Sequence, residues 1–173
     1  MRNLSTAPTL TTARLILRGP EREDLPAFIR FMTSAPSMKE QGETVTAEQA
    51  WFGFLAGIGH WQWHGFGFFT VVEHETGHPV GRVGLIKHAG WPDVELAWHL
   101  FEGAEGKGFA TEAAMAVKSW AREELGLAKL CSYIDCKNIR SQGVAKRLGA
   151  TTDGGRAPHE PEAEVWVHEV VEQ

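Results

Sequence analysis

Cysteine and tyrosine are scarce in this chain, which has 173 residues, two cysteines and one tyrosine. Cys131 and Cys136 are five positions apart on a predicted strand, which separates them by about 16 Å, so they do not form a disulfide with each other. Neither has the cysteine or histidine spacing of a zinc site, and no metal site is expected. Two free thiols are typical of a protein kept in a reducing compartment.

A signal peptide, a membrane span and an excess of positive charge are also missing. Residues 1–8 lack an apolar core of signal-peptide length, and no later run is long enough to cross a bilayer. The formal net charge is −5, from 17 basic and 22 acidic residues, which argues against general nucleic-acid binding and slightly favours a cationic substrate. We therefore expect a cytoplasmic protein with no nucleic-acid or membrane partner.

The composition that is present, 43% hydrophobic and 23% charged, is typical of a soluble globular protein. The length suits one domain that can bury a core, and no internal repeat or low-complexity segment interrupts it. We expect a single domain spanning residues 1–173.

The most informative segment is residues 105–113, Glu-Gly-Lys-Gly-Phe-Ala-Thr-Glu-Ala, between a predicted strand and a predicted amphipathic helix. Gly106 and Gly108 place no Cβ between the backbone and a ligand, so successive N–H groups can bind an anion, and the helix start adds the positive end of its dipole. The segment lacks the third glycine of the dinucleotide-binding fingerprint and the spacing of a P-loop. It predicts a site for a ligand with a pyrophosphate, and a plain glycine-rich turn is the alternative.

The hydrophobic pattern predicts an α+β fold with a mixed, mostly antiparallel central sheet flanked by helices. The predicted strands cover residues 10–18, 66–73, 79–87, 94–101, 129–135, a segment near Thr151, and 164–170. The predicted helices cover residues 21–32, 47–63, 108–125 and 138–148, and residues 153–162 are expected to form a loop.

Four segments in chain order resemble the GNAT superfamily of N-acetyltransferases, in particular its RimJ/RimL-like branch. They are Leu10-x-Thr12-x-Arg14-Leu15-x-Leu17-Arg18 with Asp24 following, Val94 to Leu100, Glu105 to Ala113, and Asn138-x-x-Ser141-x-x-Val144-Ala145-x-x-Leu148-Gly149. The resemblance covers nearly the whole chain. It implies the GNAT-like acyl-CoA N-acyltransferase fold and acetyl-CoA as co-substrate.

The resemblance also implies where acetyl-CoA binds. The glycine loop would hold the pyrophosphate, the strand before it would pair with the pantetheine arm, and the helix start at Asn138 would flank the thiol end. The expected binding residues are Trp98, His99, Leu100, Gly106, Lys107, Gly108, Phe109, Ala110, Thr111, Asn138, Ser141 and Arg147.

Transfer of an acetyl group from a thioester to an amine requires two proton transfers. The amine, with a pKa of about 8 to 10, must lose a proton, and Glu95 is the candidate base. The thiolate, with a pKa of about 8.5, leaves more easily beside a hydroxyl donor, and the family resemblance implies Ser141 for this role, with Asn138 at the same helix start. A backbone N–H of residues 98–100 is expected to bind the oxyanion. A plain strand carboxylate and an ordinary capped helix start are the alternatives.

Two departures from the family pattern bear on this assignment. Glu105 stands where many relatives carry Arg or Gln at the head of the loop, which predicts weaker phosphate binding. The tyrosine that acts as general acid in many relatives has no counterpart, because the single tyrosine, Tyr133, lies on an earlier strand. Ser141 is therefore the better candidate for the acid.

The acceptor site is predicted beside the second helix, where Trp61, Trp63 and Phe66 concentrate aromatic surface, with core packing as the alternative. The acceptor is expected to be a primary amine, either a protein N-terminal α-amine or a small-molecule amine. A non-catalytic acyl-CoA-binding sensor is the competing hypothesis, and a homodimer is a further one.

Overall fold

The computed structural model describes residues 7–34 and 45–170, so most of the N-terminal segment assessed for a signal peptide lies outside the described residues. The strands are β1 (Leu10–Thr11), β2 (Leu15–Arg18), β3 (Phe68–Glu73), β4 (Pro79–Ile86), β5 (Glu95–Leu100), β6 (Lys129–Asp135), β7 (Arg156–Ala157) and β8 (Glu160–Glu169). The helices are α1 (Leu25–Ser34), α2 (Ala47–His64), α3 (Phe109–Leu125) and α4 (Ile139–Arg147), and a 3-10 turn (Arg22–Asp24) precedes α1.

The eight strands form one sheet in the order β1-β2-β3-β4-β5-β6-β8-β7. Neighbouring strands from β1 to β5 are antiparallel, and the connection from β2 to β3 contains helices α1 and α2. Strands β5 and β6 are parallel, because helix α3 crosses between them. The predicted α+β class with a mixed, mostly antiparallel sheet is confirmed.

Helices cover both faces of the sheet. Helix α3 packs on one face, where Val83 and Leu85 of β4 join its main hydrophobic core. Helices α1 and α2 pack together through Phe28 and Phe54. Arg82 of β4 lies over the Phe28 ring, so this helix pair covers the opposite face. No helix among the described residues is both long and apolar enough to span a membrane.

Some predicted boundaries were wrong at the two ends of the sheet. Residues 10–18 are two strands, because the chain turns at residues 12–14, where Thr12 and Leu15 share hydrogen bonds. Residues 153–162, predicted as a loop, contain β7 and the start of β8. The Pro and Glu residues there are tolerated because this hairpin lies at the sheet edge and is exposed. Both cysteines are free, as predicted.

Candidate active site

The candidate site lies where β6 separates from β5. The register between them contains a single pair, Glu95 with Cys131. On the other side of β5, the Phe101 N–H donates to the Val80 carbonyl of the β4 side at 2.9 Å. Because N–H groups alternate in direction along a strand, the N–H groups of Trp98 and Leu100 point away from β4 and into the opening.

The glycine loop ends at α3, and the helix starts without a side-chain cap. Gly106 and Gly108 have φ angles of 77° and 82°, which residues with a Cβ rarely adopt. Gly108 is the N-cap and provides no side-chain acceptor, whereas α2 begins with a Thr46 capping box. The first N–H groups of α3 are thus left for a ligand, and the dipole favours an anion there.

An ion pair fixes this loop to the start of the sheet. The Glu112 carboxylate, in the first turn of α3, accepts hydrogen bonds from the Thr12 hydroxyl at 2.6 Å and from Arg14 Nε at 2.7 Å. Arg14 Nη1 donates to the Lys107 carbonyl at 2.9 Å, and its guanidinium lies over the Phe109 ring. The Thr-x-Arg segment therefore holds the glycine loop in place, a role that the sequence did not reveal.

Helix α4 supplies the opposite wall. The Asn138 side chain caps this helix by accepting the Ser141 N–H at 3.0 Å. Trp98 Nε1 donates to Ser141 Oγ at 3.3 Å, which leaves the serine proton able to donate elsewhere. Arg147, at the other end of α4, donates to the Thr111 hydroxyl at 3.2 Å and so bridges α4 to the start of α3.

These elements enclose a cleft of about 890 Å³. Ten of the predicted binding residues line it: Trp98, His99, Leu100, Gly106, Gly108, Ala110, Thr111, Asn138, Ser141 and Arg147. Seven further residues line the cleft, namely Phe31, Glu102, Glu105, Ile139, Arg140, Gly143 and Val144. Arg140 lies one position before Ser141 and carries the charge expected for a phosphate contact, whereas nothing in the sequence indicates that Phe31 reaches the cleft.

The side chains of Lys107 and Phe109, two of the predicted binding residues, lie outside the cleft. Phe109 is buried in the core at the start of α3, and the Arg14 and Lys107 cations lie 4.9 Å and 5.7 Å from its ring centroid. The Lys107 carbonyl is used by Arg14. Neither side chain lines the cleft, so only their backbone N–H groups suit the predicted contact with phosphate.

Glu95 lies at the point where the two strands part. Its side chain is 8% exposed, and one carboxylate oxygen accepts the Tyr133 backbone N–H at 3.2 Å. Burial raises the pKa of the Glu95 carboxyl to about 8, Tyr133 partly offsets this rise, and Glu160 adds a smaller increase. The carboxyl is outside the lining of the cleft, on the face of β5 that also carries His99.

His99 is a neutral donor in this structure. Its Nδ1 accepts a hydrogen bond from Arg82 Nε at 3.0 Å, which places the ring proton on Nε2. Burial and the Arg82 charge hold the pKa of His99 well below its usual range. The ring contacts Phe31 and Phe68 on the α1 face. His99 is therefore unsuited to act as a base.

The predicted aromatic acceptor site is not a single surface. Trp61 is 1% exposed and packs against Phe69 and Trp120, and its Nε1 donates to the Phe68 carbonyl. The assignment of Trp61 to acceptor binding was therefore wrong, because a buried ring offers no face to a substrate. Trp63 is 85% exposed at the end of α2, and neither it nor Phe66 lines the cleft.

Comparisons with known proteins identify the family of this chain. Residues 14–151 match the acetyltransferase (GNAT) domain family. An acetyltransferase of known structure from Agrobacterium tumefaciens str. C58 is 36% identical, with 95% of each chain covered and a TM-score of 0.87. The uncharacterized N-acetyltransferase YnaD of Bacillus subtilis (strain 168) is 25% identical over 157 residues, 91% of each chain. RimL, the ribosomal L7/L12 alpha-N-protein acetyltransferase, in complex with coenzyme A, shares the fold at 14% identity, with a TM-score of 0.75 over 94% of this chain and 98% of that chain. This chain belongs to the GNAT acetyltransferase family, which confirms the family resemblance seen in the sequence.

Proposed function

We propose that this protein is an N-acetyltransferase that moves an acetyl group from acetyl-CoA to a primary amine by direct attack in a ternary complex. One observation carries the proposal: outward-facing strand N–H groups, an uncapped helix start and a serine hydroxyl meet in one cleft. These are the donors that a thioester, a pyrophosphate and a leaving thiolate require.

The donor substrate fits the cleft in two parts. The glycine loop and the first turn of α3 would hold the pyrophosphate, with Arg140 and Arg147 of α4 across from it. The pantetheine arm would pair with β5 through the N–H groups of Trp98 and Leu100, which face the opening. One of these two N–H groups would also stabilise the carbonyl oxygen as it gains charge.

Ser141 would protonate the departing thiolate. Its oxygen already accepts the Trp98 indole N–H, so its own proton is directed to another acceptor. Asn138 positions Ser141 by capping the same helix turn. This arrangement supports an enzyme more strongly than a binding-only sensor, since a sensor needs no donor at the thiol.

Glu95 would take the proton from the amine, directly or through water. A base works best when its pKa is near the working pH, and burial has brought Glu95 into that range. It shares a face of β5 with His99, whose ring lies against Phe31 of α1. We therefore place the amine acceptor on the α1 face and the CoA on the α4 face of the opening.

The acceptor class divides into two possibilities, a protein N-terminal α-amine and a small-molecule amine. RimL is named for acting on a protein α-amine, and its fold is shared by this chain. Shared fold supports the class of reaction but does not choose the acceptor.

An acceptor screen tests the proposal. Release of CoA from acetyl-CoA is measured with a panel of peptides and small amines, and each peptide is matched by its N-terminally blocked form. We expect release that depends on a free amine. Calorimetric binding of acetyl-CoA without any amine-stimulated release across the panel would instead establish the acyl-CoA-binding sensor.

A further inference from the structure

The hydrogen-bond ladder between β5 and β6 stops abruptly. Its single residue pair, Glu95 with Cys131, has the Cys131 N–H donating to the Val94 carbonyl at 3.0 Å, and parallel pairing makes the Leu96 N–H the donor of the last rung, to the Cys131 carbonyl. In a continuing parallel ladder, the next rung would join the Tyr133 N–H to the Leu96 carbonyl. Both of these backbone groups lie at the opening of the candidate active site.

Side chains form hydrogen bonds with both of these backbone groups instead. The Tyr133 N–H donates to Glu95 at 3.2 Å, and the Leu96 carbonyl accepts the Ser132 hydroxyl at 2.6 Å. Ser132 is buried, so the carbonyl is satisfied away from water, by a side chain of β6 and not by the β6 backbone. The strands can part here because neither group is left without a partner.

His168 of β8 forms a second hydrogen bond with the Ser132 hydroxyl. Its Nε2 lies 2.9 Å from Ser132 Oγ, and since the serine proton goes to Leu96, His168 must donate. The ring is fully buried, and its Nδ1 has no hydrogen-bond partner in the described parts of the chain. Burial and, secondarily, the charge of Lys118 lower the pKa of His168 to about 4. The ring therefore stays neutral, with its proton on Nε2.

We infer that Ser132 and His168 are positioning residues that keep β5 and β6 apart at the active site. The Ser132 hydroxyl, which His168 contacts, takes the hydrogen bond that the Leu96 carbonyl would otherwise form with the β6 backbone. Leaving this buried carbonyl unpaired is costly, and the donor that a continuing parallel ladder would give it in place of the hydroxyl is the Tyr133 N–H. Formation of that rung would move the branch point two residues along β5, about 7 Å towards Trp98, whose N–H the cleft uses. It would also take the Tyr133 N–H away from Glu95.

This inference rests on the proposed function only for the role of the opening, so its test uses no acceptor. The variants are Ser132→Ala, which removes the donor to Leu96, and the pair His168→Leu and His168→Gln. Glutamine keeps an N–H donor near the Nε2 position, and leucine does not. Thr70→Val is the matched control, because Thr70 is also a buried strand hydroxyl, donates to Asp24 at 2.8 Å, and lies on β3, three strands away from Ser132.

Two measurements are made on each folded variant: calorimetric binding of CoA, and a pH titration of the Tyr133 amide by NMR. In the wild type, this amide signal should follow the ionisation of Glu95, its hydrogen-bond acceptor. In Ser132→Ala we expect the Tyr133 signal to lose that titration and the CoA dissociation constant to rise about tenfold or more. His168→Leu should change both in the same direction and His168→Gln should resemble the wild type.

A merely structural role would give another pattern. Ser132→Ala and His168→Leu would then lower thermal stability as Thr70→Val does, with unchanged CoA affinity and an unchanged Tyr133 titration, and that result would overturn the inference. If Ser132→Ala does not fold, CoA affinity and the Tyr133 titration of the two His168 variants test the inference in the same way. Absence of any amine acceptor would overturn the proposed function but leave both measurements interpretable.

Discussion

Arg14 and Glu112 are 98 residues apart in the chain and form an ion pair at 2.6 Å that joins the β1–β2 turn to the first turn of α3. The same arginine donates to the Lys107 carbonyl inside the glycine loop. The contact therefore fixes the loop that we assign to the pyrophosphate. Its Arg14 side chain is half exposed, so its contribution to global stability is small, at most about 1 kcal/mol.

Weakening this pair should reduce CoA affinity more than stability. Glu112→Gln removes the charge that Arg14 contacts, and we expect the calorimetric CoA dissociation constant to rise by about five- to tenfold, with a Tm change of only a few degrees. Glu123→Gln, the same change in an exposed ion pair at the far end of α3, is the control and should leave CoA binding intact. Equal affinities for the two variants would show that the anchor is not needed for binding.

The two loop glycines allow a direct test of the phosphate site. Gly106→Ala and Gly108→Ala force a Cβ onto a left-handed backbone, with φ angles of 77° and 82°. Gly77→Ala does the same in the β3–β4 turn, where φ is 68°. All three should lose a similar amount of stability, about 1 kcal/mol. Only the first two should lose CoA affinity, and a comparable loss in Gly77→Ala would refute a specific role of the loop.

Glu105 offers a gain-of-affinity prediction. Its carboxylate accepts the Gly103 N–H at 3.0 Å and lies in the lining of the cleft, so it shapes the loop while placing negative charge near the phosphates. Glu105→Gln keeps an acceptor oxygen but removes the charge. We expect CoA to bind about two- to fivefold more tightly at low salt, with the gain shrinking as salt increases. Weaker binding at every salt concentration would mean that the charge itself is required for the loop.

Local signals in the sequence predicted most of the elements and most of the cleft. Helix α2 was predicted because its apolar residues recur at helical spacing, and the structure adds a Thr46–Gln49 capping box at its start and a left-handed Gly65 at its end. The cleft was found because the glycine loop and the Asn138 to Ser141 segment are each short and contiguous. Such motifs can be recognised without knowledge of which strands are neighbours.

Contacts between distant segments could not be predicted in the same way. The Glu95–Tyr133 and Ser132–His168 hydrogen bonds join residues 38 and 36 positions apart, and they depend on where β6 leaves β5. Trp61 and Trp63 illustrate a different error. Residues two positions apart on a helix face nearly opposite directions, so one ring is buried and the other exposed, although composition groups them together.

The buried carboxyl of Glu95 should make stability depend on pH. Because its pKa is raised in the folded protein, the native state keeps a proton that the unfolded chain releases above its ordinary value near 4.5. Stability from this group is complete below about pH 4.5 and is lost as the pH rises through about 8. Glu95→Gln keeps an oxygen for Tyr133 but cannot ionise, so its stability relative to wild type should rise across that window, on the order of a few kcal/mol.

Chemical denaturation at a series of pH values measures this difference. Glu123→Gln, a change at an exposed carboxylate, is the control and should follow the wild-type curve. A Glu95→Gln curve parallel to wild type would mean that the Glu95 carboxyl titrates normally, and its suitability as a base near neutral pH would be lost as well. The same variant should lose activity near pH 7 and recover part of it as the pH rises and more of the amine is neutral.

Ser141 should affect the other proton transfer, and so its variant should differ from Glu95→Gln in pH dependence. Ser141→Ala removes the hydroxyl that lies beside Trp98 Nε1 but keeps the N–H that Asn138 caps, so helix α4 should remain formed. We expect kcat to fall on the order of 10²-fold, with CoA affinity unchanged and little recovery below the thiol pKa of about 8.5, because the leaving thiolate still lacks a donor. Pre-steady-state measurement of CoA release across pH separates this defect from slow product dissociation. A Ser141→Ala enzyme with wild-type kcat, or one whose loss disappears as soon as the amine is deprotonated, would assign the donor to another group and leave Ser141 with the role of a helix-start residue alone.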